Sequence, residues 1–101
     1  MALTLVQFDF PFNGPWGLAM TEALEGLAND IADEPDLVWK IWTENEAESR
    51  AGGIYLFANP RAAAAYRDKH GARLEAFGIT GIVAKIFDIN EPLTRTTRGP
   101  I

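Results

Sequence analysis

Leu37 to Phe57, LVWKIWTENEAESRAGGIYLF, constrains this chain more than any other stretch. Two runs rich in Val, Ile, Trp, Tyr and Phe flank Glu44 to Arg50, a charged segment with nothing to bury, and this pattern predicts a β-hairpin with a long polar turn. Successive strand side chains alternate faces, so Leu37, Trp39 and Ile41 point one way and Val38, Lys40, Trp42 and Glu44 the other. In the second run Ile54 and Leu56 alternate with Gly53, Tyr55 and Phe57. Each strand therefore has an aliphatic face and an aromatic one, and both need cover.

The same two-faced pattern opens the chain. Over Leu3 to Phe10, Val6, Phe8 and Phe10 alternate with Leu5, Gln7 and Asp9, which predicts a first strand. Phe12-Asn13-Gly14-Pro15 breaks it, with Asn13 or Gly14 as a cap and Pro15 in a first helical turn. Met20, Ala23, Leu24, Leu27 and Ile31 then recur at helical spacing as one amphipathic helix that stops near Asp33, before Glu34-Pro35 forces extended backbone.

After the hairpin, Asn59-Pro60 repeats the capping arrangement ahead of a helix over Ala62 to Phe77, with Ala63, Tyr66, His70, Leu74 and Phe77 as its buried stripe. Ile82 to Ile89 is a fourth strand, and Asn90 to Ile101, rich in Thr, Arg and Pro, reads as a tail. The order βαββαβ predicts an α+β, ferredoxin-like domain spanning residues 1–101, with two helices on one face of a four-stranded antiparallel sheet. Giving the aliphatic sides to the helices leaves Leu5, Gln7, Asp9, Lys40, Trp42, Tyr55, Phe57, Lys85 and Phe87 on the other face. That face is too aromatic for water, so a homodimer closed through the sheet is expected, with the tail reaching across to the partner.

Composition narrows the chemistry. The net charge is −5 and the basic residues are scattered, so the counterion-release term behind most nucleic-acid affinity is missing and no nucleic-acid partner is expected. Cysteine is absent, which excludes disulfides, a thiolate nucleophile and sulfur-ligated metal. MALTLVQFDF lacks a basic start and reaches Asp9 too soon for a signal core, and no apolar run is long enough for a membrane span; the expectation is a cytoplasmic protein. One histidine cannot anchor a zinc site without mostly carboxylate ligands, so no metal is expected. Gly52-Gly53 precedes a strand rather than joining strand to helix, and so is no phosphate loop.

A few polar groups among aromatics remain. His70 follows Tyr66 by one helical turn, so imidazole and phenol share a face, an arrangement suited to removing a proton from a phenol or enol and equally to a hydrogen-bonded core histidine. Lys40, between Trp39 and Trp42, either holds an anionic ligand or pairs with Glu44 or a partner's carboxylate. Arg73 orients a ligand or lies on a solvated helix edge. Trp39, Trp42 and Tyr55, with Tyr66, are either pocket walls for a flat ring or core and dimer contacts. Asn13 and Trp16 stand where an entrance would be, with helix capping as the other role for Asn13.

Five blocks, FNGPWG at Phe12 to Gly17, EPDLVWKIWTE at Glu34 to Glu44, AGGIYLF at Ala51 to Phe57, AYRDKHGARL at Ala65 to Leu74 and VAKIFDINEPL at Val83 to Leu93, give the chain a resemblance to the YdhR-like mono-oxygenase family. The resemblance implies the dimeric α/β barrel of the antibiotic-biosynthesis mono-oxygenase type. It also implies oxidation of a small phenolic or quinol-like aromatic by molecular oxygen with no metal, flavin or other cofactor. On that reading His70 is the base, Tyr66 its hydrogen-bond partner, and Lys40 and Arg73 stabilise the anion. Two alternatives stand beside it: a barrel that binds or isomerises a small aromatic ligand, and a haem-degrading oxygenase, since similar barrels use an Asn, a Trp and a His.

Overall fold

A computed structural model describes residues 2–101. Four strands, β1 (Thr4–Pro11), β2 (Leu37–Asn45), β3 (Arg50–Phe57) and β4 (Val83–Asp88), form one antiparallel sheet in the order β2-β3-β1-β4. The helices are α1 (Gly17–Ala23), α2 (Glu25–Ala32), α3 (Pro60–Ala76) and α4 (Glu91–Thr96). The domain is α+β and ferredoxin-like, as its sequence pattern predicts.

In β1 the buried Thr4, Val6, Phe8 and Phe10 alternate with more exposed residues, so this strand alone states which side holds the core. Register carries that choice across the sheet: Val6 stands opposite Tyr55 and Ile86, and Phe8 opposite Gly53 and Ala84. Directly paired residues share a face. Tyr55 and Phe57 therefore face the helices, and Lys40, opposite Tyr55, does so too. This corrects the sequence assignment for β2 and β3, whose aromatic sides, not their aliphatic ones, pack under α3. Alternation defines two faces for a strand but not which one a helix covers, and Tyr66 of α3 meets the Tyr55 and Phe57 rings at 4.8 and 5.2 Å. Leu37 joins the same core because a bulge between Leu37 and Trp39 shifts the parity of β2.

The single helix expected before β2 is two short ones. Leu24 is non-helical (φ −107°, ψ 10°) and serves as C-cap of α1 and N-cap of α2. Trp16, not Asn13 or Gly14, occupies the N-cap of α1, and no side chain caps it. Around α3 the reading holds: Asn59 Oδ1 accepts from the Ala62 amide at 2.8 Å, Pro60 is in the first turn, and Ala63, Tyr66, His70 and Leu74 are buried. Phe77, placed on the buried stripe from sequence, is the C-cap and is 63% exposed. The expected tail contains α4, capped by the Asn90 side chain on the Leu93 amide. The sheet's outer face keeps apolar residues in the open, with Ile41 49%, Val83 43% and Phe87 43% exposed.

Candidate active site

The sheet, the C-terminal half of α3 and the pair α1–α2 enclose a cavity of about 260 Å³. Lys40 and Trp42 of β2, Tyr55 of β3, and His70 and Leu74 of α3 form one side. Met20, Leu24 and Leu27 close it from above, and Phe10, Phe12, Gly14, Pro15, Ala51, Gly52, Phe77 and Ile79 complete the wall. No carboxylate lines it among the described residues.

Lys40 is the most unusual lining group. Its Nζ sits 3.2 Å from the centroid of the Trp42 ring and 4.6 Å from that of Tyr55, and it has no ion-pair partner among the described residues. Glu44, the carboxylate nearest in sequence, instead accepts from the Gly17 amide at 2.8 Å. Burial first, and the Arg73 charge second, push the Lys40 amine down to about 7. The aromatic faces pull the other way by attracting the ammonium. Gly53 makes room for this side chain, since a Cβ there would lie 2.8 Å from Lys40 Cε.

His70, 3% exposed, lines the cavity beside it. Arg73 reaches its Nδ1 from Nε at 3.2 Å and Nη2 at 2.9 Å. A guanidinium can only donate, so Nδ1 carries the lone pair and the neutral ring holds its proton on Nε2. Burial, then Lys40, Arg73 and Lys69, push the imidazole down to about 3. Arg73 continues to Asp30 at 2.6 Å and so ties α3 to α2. The arrangement offers a ligand a hydrogen-bond donor from His70 and an amine from Lys40 that is partly free near neutral pH.

Of the residues singled out in the sequence, Lys40, Trp42, Tyr55 and His70 meet at this cavity, with Arg73 behind His70. Tyr66 does not line it. Its ring stacks on His70 at 5.1 Å and 17°, and Arg73 takes the hydrogen-bonding place expected for the phenol. The Tyr66 hydroxyl is buried and makes no hydrogen bond among the described residues. Burial pushes both tyrosines up, Tyr66 to about 12. Tyr66 borders instead a wider, polar depression at the other end of α3, with Glu34, Asn59, Arg61 and Lys69. Trp39 is elsewhere altogether: it pairs with Leu56 and its Nε1 donates to the Pro100 carbonyl at 2.9 Å. Asn13 is exposed, and Trp16 packs on Phe12 at 5.4 Å rather than on the cavity. The roof residues Met20, Leu24 and Leu27 were visible in sequence only as a helix's apolar stripe. Among the described residues, no group of three or more His, Asp or Glu is placed to hold a metal ion, and no helix is long and apolar enough to cross a membrane.

The family model described as "Putative mono-oxygenase ydhR" matches residues 5–100. The chain belongs to the ydhR mono-oxygenase family. Membership in the ydhR family covers both the sheet and the cavity, and it supports a mono-oxygenase role. A search of curated proteins gives no match.

Proposed function

We propose that the chain is a mono-oxygenase that binds a small phenolic or quinol-like aromatic in the α3-side cavity and uses molecular oxygen without metal or flavin. The observation that carries this reading is Lys40, an unpaired amine laid between Trp42 and Tyr55 in an apolar cavity that no carboxylate lines. Lys40 takes the role of base that the sequence suggested for His70, because Arg73 occupies the His70 lone pair and the imidazole is held too low to accept a proton near neutrality.

The free amine removes the substrate's hydroxyl proton. The resulting anion lies against the Lys40 ammonium and accepts from His70 Nε2–H, with the Arg73 charge behind. An electron-rich ring anion gives one electron to oxygen, and the radical pair combines at the ring carbon para to the hydroxyl, forming a substrate hydroperoxide. Where that carbon is a CH2 in the keto tautomer, loss of water leaves a carbonyl. One oxygen atom of O2 is then in the product and the other in water, and all electrons come from the substrate.

The reading extends to assembly: a homodimer closed through the outer sheet face would cover Ile41, Val83 and Phe87. The test of function is oxygen uptake by metal-stripped protein against quinols, anthrones and simple phenols, with autoxidation subtracted. Protein-dependent uptake that survives chelation is expected, and Lys40→Met should lower it by about 10²-fold or more. Undiminished uptake in Lys40→Met would sink the base assignment, and ligand binding with no uptake across the panel would favour a binding or isomerase role.

A further inference from the structure

Amines that stand unpaired in apolar pockets do more than accept protons. A lysine freed of its charge and its hydration is a nucleophile toward carbonyl carbon. Lys40 meets the geometric conditions separately. Its stem crosses β3 at Gly53, where only a glycine leaves space, and its Nζ ends in the cavity between two ring faces. The charged and titratable groups near it are Arg73 and His70 from α3 and the Tyr55 hydroxyl from β3; the residues facing it from α1 and α2, Met20, Leu24 and Leu27, are apolar. Nothing there would hold an ammonium in an ion pair.

We propose that the cavity takes small aromatic aldehydes or ketones and condenses them with Lys40 as an imine, a reaction separate from oxygen chemistry. The amine nitrogen bonds to the carbonyl carbon, a proton passes from nitrogen to oxygen to give the carbinolamine, and water leaves as the C=N bond forms. No electron is gained or lost and no co-reactant is needed. His70 Nε2–H is the donor available to the carbonyl oxygen, and Trp42 and Tyr55 offer faces for the ring. A cavity of about 150 Å³ accepts benzene, so about 260 Å³ holds a ring with its carbonyl arm. The depressed basicity of Lys40 means that the free amine is present near neutral pH.

The test is reductive trapping under argon, so that its outcome is independent of any oxygen turnover. The whole chain is incubated at pH 7 with benzaldehyde and cyanoborohydride, digested, and mapped at Lys40 and at Lys69 and Lys85, the other lysines. Lys69, half-exposed on α3 and paired with Glu34 at 2.9 Å, is the internal control, and Lys85, on the outer sheet face beside Val83 and Phe87, reports whether that face is covered. The expected result is labelling of Lys40 on the order of tenfold or more above Lys69, in line with a free-amine fraction larger than that of an ordinary lysine. Excess 2-naphthol, which has no carbonyl, should protect Lys40 alone. Equal or lower labelling at Lys40, or labelling that 2-naphthol leaves unchanged, would overturn the proposal. Because the comparison is made within one wild-type chain, it does not depend on a Lys40 variant folding.

Discussion

Two nitrogens of Arg73 converge on one nitrogen of His70, Nε at 3.2 Å and Nη2 at 2.9 Å from Nδ1. The contact fixes a tautomer and opposes protonation together with burial. Imidazole ¹⁵N shifts should show His70 protonated at Nε2 and bare at Nδ1, with no titration between pH 8 and about 5. The unfolded chain does titrate, near 6.5. Below that pH the unfolded state binds a proton that the folded state refuses, so stability falls with pH by on the order of 1 kcal/mol per unit toward the folded value of about 3. His70→Gln should flatten the slope between about pH 6.5 and 5, a window above most carboxylate titration. An equally steep slope in the variant would remove His70 as its source.

Lys40 also opposes stability, over a different window. Its folded value near 7 lies below the 10.5 of a free lysine, so at pH 7 and below the fold bears the full cost of burying the ammonium. Between 7 and 10.5 that cost shrinks as the unfolded chain alone stays protonated. Lys40→Met should therefore raise stability by roughly 1–3 kcal/mol at pH 6, and the gain should fade by pH 10. Denaturant melts of both proteins at the two pH values measure it. A destabilised variant would mean that stacking on Trp42 and Tyr55 outweighs desolvation.

The adjacent glycines of β3 should behave differently. A Cβ at Gly52 would run into the backbone carbonyl of Phe8 in the paired strand, which cannot move alone, so Gly52→Ala is expected to cost about 3 kcal/mol. At Gly53 the nearest atom is Lys40 Cε, the far part of a flexible side chain, and the buried Tyr55 ring, next at 3.1 Å, has only a few tenths of an ångström to give. Gly53→Ala should cost about 1 kcal/mol and displace Lys40, changing turnover and carbonyl labelling more than melting. Similar losses of stability at both positions would contradict this account of the sheet.

The exposed aliphatics of the outer face predict association. Wild-type chain should sediment as a dimer at micromolar concentration, and Phe87→Asp or Ile41→Asp should shift it to monomer, because each would bury a charge without a partner. A wild-type monomer at that concentration would refute the sheet-face dimer.

Sequence was most informative where local chemistry had one outcome. Asn59-Pro60 is a strong helix start, its side chain and ring both fitting the first turn, and the stripe Ala63, Tyr66, His70, Leu74 has one way to face a sheet. The βαββαβ order followed from such signals. The faces of β2 and β3 did not, because period-two alternation is symmetric and the deciding facts are long-range: the β1 register and the rings of α3. For the same reason Lys40, Trp42, Tyr55 and His70 could be named as site residues, whereas their meeting under α1 and α2 could not. Trp39 goes to the outer face with Ile41 for that same reason, and the bulge beside it, which no residue type announces, parts Leu37 from both. The break at Leu24 also left no mark, since leucine is an ordinary helix former.

That break has a dynamic consequence. Helices of seven and eight residues are too short to persist alone, and α1 and α2 are fastened by two polar tethers, Gly17 to Glu44 at one end and Asp30 to Arg73 at the other. Between the tethers their apolar side chains face a hollow, so a molecule that fills it supplies contacts the helices otherwise lack. Amide hydrogen exchange over residues 17–32 should then slow on ligand binding while β1 and β3 hardly change. The roof thus reports the occupancy of the room beneath it, and a ligand could be found by the protection it confers before any reaction is known.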